Sequence, residues 1–75
     1  MFDYDKLYGK IREVFKTQEA FADAMEMSRS ALSLRLTQKV EWKSPEIIKA
    51  CMLLNIPVNE VHLYFFCLKS LETQD

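Results

Sequence analysis

The side chains with the clearest chemical character in this 75-residue chain are the run Ser28-Arg29-Ser30, followed closely by Ser33 and Leu34. Short hydroxyls and one guanidinium leading a helix suit the major groove of DNA, about 12 Å wide, where such side chains meet base edges. Arg29 is the strongest candidate, because a guanidinium can donate to guanine O6 and N7 together, contributing about 1–3 kcal/mol of discrimination. Catalysis has far less to work with. The chain holds one histidine, His62, and two cysteines, Cys51 and Cys67, with no Ser/His/Asp or Cys/His constellation and no glycine-rich phosphate loop. Three such residues at no recognised spacing do not make a zinc set either. No enzyme, metal, cofactor or small-molecule substrate is expected. The cysteines read as reduced residues in apolar surroundings, and His62 as a surface or half-buried residue of a C-terminal helix.

Charge is distributed to match that emphasis. The net formal charge is −1, awkward for a DNA binder because phosphate neutralisation normally supplies most of the affinity. Between positions 29 and 49, however, five basic residues (Arg29, Arg35, Lys39, Lys43, Lys49) stand against two acids, Glu41 and Glu46. The positive stretch coincides with the groove-facing candidates.

The elements that must position these residues follow from spacing. Only three residues are Gly or Pro and 49% are apolar, so the expectation is an all-α, compact bundle of about five short helices, one domain over 1–75. Leu7, Ile11, Val14 and Phe15 mark an amphipathic helix over 5–15, interrupted only by Gly9. Thr17 is suited to cap a second helix, 18–25, with Phe21, Ala22 and Met25 inward. Ser28 caps a third, with Leu32 and Leu36 inward, and Glu26-Met27 leaves room only for a tight turn. Residues 37–43 form a polar loop in which Trp42 reads as an anchor packed on the core. Ser44-Pro45-Glu46 opens a fourth helix with Ser44 as N-cap, carrying Ile47, Ile48, Cys51, Met52 and Leu54. Asn55 closes it in a left-handed conformation, with Ile56 packing back and Pro57 blocking continuation. Asn59 caps a fifth helix reaching about position 68, and 72–75 are expected to fray. No apolar run approaches the roughly 20 residues of a membrane span, and the acidic start lacks a signal-peptide pattern, so a cytoplasmic protein without membrane contact is expected.

Gln18, Ala22, Glu26 and Met27, followed by Ser28-Arg29-Ser30-Ala31-Leu32-Ser33, fall on the pattern of a helix-turn-helix motif over about 17–37. In this the chain resembles the Cro and repressor family of phage proteins, with its lambda-repressor-like fold. Leu32-Ser33-Leu34-Arg35-Leu36, the loop Trp42 and the closing Tyr64-Phe65-Phe66 further resemble small regulators of lactic-acid-bacterial phages and prophages. The resemblance implies a sequence-specific DNA-binding transcriptional regulator, a repressor acting on a double-stranded operator. Ser28, Arg29, Ser30 and Ser33 would face the groove, and Leu34 would touch a thymine methyl. Gln18, Lys39 and Lys43 would hold phosphates. Arg35 is either a further phosphate ligand or the partner of a neighbouring acid. Two departures from the pattern are Glu26, where the turn usually has Gly, and the exposed apolar Leu34. They motivate the alternative, an anti-repressor or co-repressor that binds a phage repressor through the recognition-helix face or the aromatic C-terminus. Tyr64, Phe65 and Phe66 are candidates for a dimer or partner surface, and a homodimer would favour an inverted-repeat operator.

Overall fold

The structure is a computed structural model that describes residues 2–68. Its elements are α1 (Asp5–Phe15), α2 (Gln18–Met25), α3 (Arg29–Leu36), α4 (Ser44–Leu54), a 3-10 turn (Val58–Glu60) and α5 (Val61–Phe65). The expected frayed residues 72–75 lie outside the described part. All five α-helices contribute to one core, in which Leu7, Phe21, Leu32, Leu54 and Phe65 are fully buried. Phe15 is half-buried and its ring leans on Phe21 at 5.4 Å, while Val14 is turned outward. Gly9 has nothing within 4 Å of where a Cβ would stand, so no close helix crossing depends on it.

The turn between α2 and α3 spans only Glu26, Met27 and Ser28, so its backbone groups must be satisfied locally. Thr17 Oγ1 accepts from the Ala20 N–H at 3.1 Å and Ser28 Oγ from the Ala31 N–H at 3.0 Å, each satisfying a first-turn donor. Glu26 takes the left-handed conformation (φ 63°), and the Met27 N–H reaches back to the Ala22 carbonyl at 3.0 Å. A glutamate there is sterically costly by about 1 kcal/mol. Lys49 of α4 partly compensates, donating to the Met25 carbonyl at 3.4 Å and meeting the Glu26 carboxylate at 3.4 Å. A cation thus sits at the negative end of α2, where the helix dipole favours it.

Asn55 ends α4 in the left-handed conformation (φ 58°), with the Ile56 N–H bonded to the Cys51 carbonyl at 2.9 Å. Two expectations need correction. Ser44 is the first helical residue rather than the cap; Lys43 stands at the cap position, and the Glu46 carboxylate reaches back to accept from its N–H at 2.9 Å. The fifth helix is shorter than 59–68. Pro57 leads into a 3-10 turn that contains Asn59, the helix starts at Val61, and it stops after Phe65. The stop has a long-range cause. Leu68 pairs with Phe2 in an antiparallel bridge and the Asp3 N–H donates to the Cys67 carbonyl at 2.6 Å, which draws the chain out of helical geometry.

Candidate interaction surfaces

Arg29, Ser30, Ser33 and Leu34 share the outer face of α3, around a shallow hollow of about 440 Å³. Leu34 is 41% exposed, an apolar side chain standing among hydroxyls. Ser28 lies at the head of the helix, its oxygen occupied by the cap. Arg29 Nη2 donates to Gln18 Oε1 at 3.1 Å, so the first residues of α2 and α3 are tied together at the surface.

Arg35 is withdrawn from this face. Its Nε and Nη2 donate to the two carboxylate oxygens of Glu46, each at 2.9 Å, and its Nη1 donates to the Ala31 carbonyl at 2.9 Å. The bidentate pair holds the Glu46 carboxyl below its ordinary range and raises the Arg35 guanidinium, chiefly through the hydrogen bonds between them. Of the two readings of Arg35, the acid partner is the one the structure shows, and the phosphate-ligand assignment is corrected. Lys39 and Lys43 are exposed in the loop that joins α3 to α4, outside the α3 hollow.

A second surface lies at the N-terminal segment. Gln38, left-handed at φ 65°, clamps the Phe2 backbone by accepting from its N–H at 2.8 Å and donating Nε2 to its carbonyl at 2.7 Å. Phe2, Tyr4, Val40, Glu41, Trp42, Phe65 and Phe66, with Gln38, thereby line a concave hollow of about 370 Å³. Phe2 stands edge-on to Phe66 at 5.8 Å, and Trp42 edge-on to Phe65 at 5.1 Å. Trp42 is half-buried against the core, as its reading as an anchor implies, and its Nε1–H is out of solvent with no hydrogen-bond partner among the described residues. An unsatisfied donor of this kind costs about 1–3 kcal/mol.

The aromatic terminus does not act as one surface. Phe65 is 1% exposed and belongs to the core, correcting its assignment to a dimer or partner surface. Tyr64 is half-buried, with Lys10 Nζ 6.0 Å from its ring centre. Phe66 is 49% exposed and stands at the rim of the hollow. Sequence reasoning missed Phe2, Tyr4 and Gln38. The alternation Phe2-Asp3-Tyr4 was the available signal, since it places two aromatic rings on one side of an extended segment.

The comparisons with known proteins agree with this fold. A family model described as "Protein of unknown function (DUF739)" matches residues 1–67, and the chain belongs to that family. Among solved structures it is similar to the modulator of repression (MOR) of the temperate bacteriophage TP901-1 from Lactococcus lactis. The two share 45% identity over 87% of this chain and 88% of that one, with a TM-score of 0.79. No curated protein matches the sequence. That neighbour is a phage protein, in line with the phage side of the resemblance, while the family established is DUF739 rather than the Cro and repressor family.

Proposed function

We propose that this chain modulates a phage repressor by direct protein contact, working in the cytoplasm. Its similarity to a modulator of repression, at 45% identity over nearly the whole chain, supports the role. The observation that carries the contact site is the aromatic hollow with Phe66 half-exposed at its rim. Protein interfaces centre on aromatic anchors in desolvated pockets, and a concave hollow lined by aromatic rings fits that pattern. Phe66 is the anchor this side offers to a partner.

The face of α3 is less suited to reading DNA alone. With Arg35 bound to Glu46, its groove-facing group retains one guanidinium, three serines and a leucine. The pairing of Gln18 with Arg29 at the starts of α2 and α3 nevertheless favours a second reading. There Arg29 touches a base and Gln18, Lys39 and Lys43 touch phosphates, in a complex that repressor and modulator form jointly on an operator.

The test is to titrate this chain into a fluorescent operator duplex, with and without the repressor of the same phage or prophage. The reading expects no sequence preference from the chain alone and a marked change in repressor occupancy when it is added. Tight, sequence-dependent and steeply salt-sensitive binding by the chain alone, with no effect on the repressor, would overturn it.

A further inference from the structure

The two surfaces above leave a third unexplained. Between α4 and the 3-10 turn runs an apolar groove of about 410 Å³, floored by Cys51 and Ile56. Its walls are unusually exposed for their type, with Ile48 at 61%, Met52 at 73% and Val58 at 89%.

Charge distribution says what can cover it. Helix α4 carries two charged residues, Glu46 and Lys49, and both are turned toward other helices by their partners, Arg35 on α3 and the Met25–Glu26 end of α2. The outward stripe Ser44, Ile48, Met52 and Asn55 is therefore uncharged, at i, i+4 and i, i+3 spacing along one face. From Ala50 to Asn59 no residue is charged, although 28% of the whole chain is. The exposed polar residues at the groove's end, Asn55 and Asn59, are neutral, and the next charge along the chain, Glu60, is half-buried. A two-fold contact brings each residue against its own image or a near neighbour, so charged residues in such a patch would repel themselves. This patch has none.

We propose that this face is the contact between two copies of the chain, related by a two-fold axis passing near Met52. Ile48 and Met52 of one copy fill the groove of the other, and Val58 packs against the opposing α4. The contact leaves the α3 face and the aromatic hollow uncovered, so it stands or falls separately from the function proposed above.

Sedimentation equilibrium of the full chain, from low micromolar to near-millimolar concentration, tests it. The expected result is a reversible monomer–dimer equilibrium that Met52→Lys weakens by at least about tenfold. Val58→Lys places a charge independently, on an element outside α4, and has the same expected effect. Circular dichroism melting confirms that each variant folds, as their exposure in the monomer implies. Mixing Met52→Lys with Met52→Glu restores dimers, because opposite charges then face each other across the axis. A chain that stays monomeric throughout overturns the proposal, as does a dimer indifferent to Met52→Lys and Val58→Lys, or one that the charge-swapped mixture fails to restore.

Discussion

The outer face of α3 and the aromatic hollow at the N-terminal segment differ in how the fold has spent their polar groups. The α3 face offers a partner the exposed hydroxyls of Ser30 and Ser33 and a guanidinium, Arg29, tied by one donor to Gln18, while Arg35 is withdrawn onto Glu46. The hollow is lined mainly by aromatic rings, with a half-exposed phenylalanine at its rim. Exposed hydroxyls exchange one set of hydrogen bonds with water for another on binding, whereas apolar rings in a concave surface gain from leaving water. The sequence draws attention to α3, whereas the proposed repressor contact lies at the hollow.

The strongest loss is expected at the rim of the hollow. Phe66→Asp should lower affinity for the repressor by about 2–4 kcal/mol, as loss of an interface anchor does, while the free chain melts normally. Isothermal titration calorimetry and a thermal melt separate the two outcomes. Next comes the Arg35–Glu46 clamp. Arg35→Ala removes three hydrogen bonds and leaves Glu46 with the Lys43 N–H but no cation, so chemical denaturation should show a loss of about 2–3 kcal/mol. Because the Glu46 carboxyl is held below its ordinary value of 4.5, its contribution is present above that pH. It is lost as pH falls through the lower folded value. Glu46→Gln should therefore flatten that part of the acid denaturation profile, and a profile of unchanged shape would deny the clamp its role. The smallest effects lie in the backbone. Gly9→Ala, on an exposed helical turn with open space for the methyl, should stabilise by about 0.5–1 kcal/mol. Glu26→Gly should gain about 0.5 kcal/mol, relief of the left-handed glutamate being partly offset by greater freedom of the unfolded chain.

The limits of α1, α2 and the caps at Thr17 and Ser28 were legible in the sequence because they depend on residues within a turn of each other. Asn55 was legible for the same reason, its left-handed conformation being followed at once by Ile56 and Pro57. Arg35 was not, since its partner lies 11 residues away across a loop, and no periodicity distinguishes that acid from a phosphate. The hollow was hidden further still. It depends on a glutamine amide bonding a backbone 36 residues distant and on a bridge between Phe2 and Leu68. The same bridge ends α5 early, which explains why the local reading of 59–68 as helix overshot. Phe65 and Phe66 are adjacent and nearly alike in chemistry, yet one fills the core and the other faces solvent. Only the direction of a short helix decides which.

The central claim is that the hollow, rather than the α3 face, meets the repressor. Calorimetric titration of the repressor with the wild-type chain, Phe66→Asp and Leu34→Asp tests it most directly. The wild type should bind tightly, Leu34→Asp with close to wild-type affinity, and Phe66→Asp at least about thirtyfold more weakly. Loss of binding by Leu34→Asp with Phe66→Asp unaffected would contradict it.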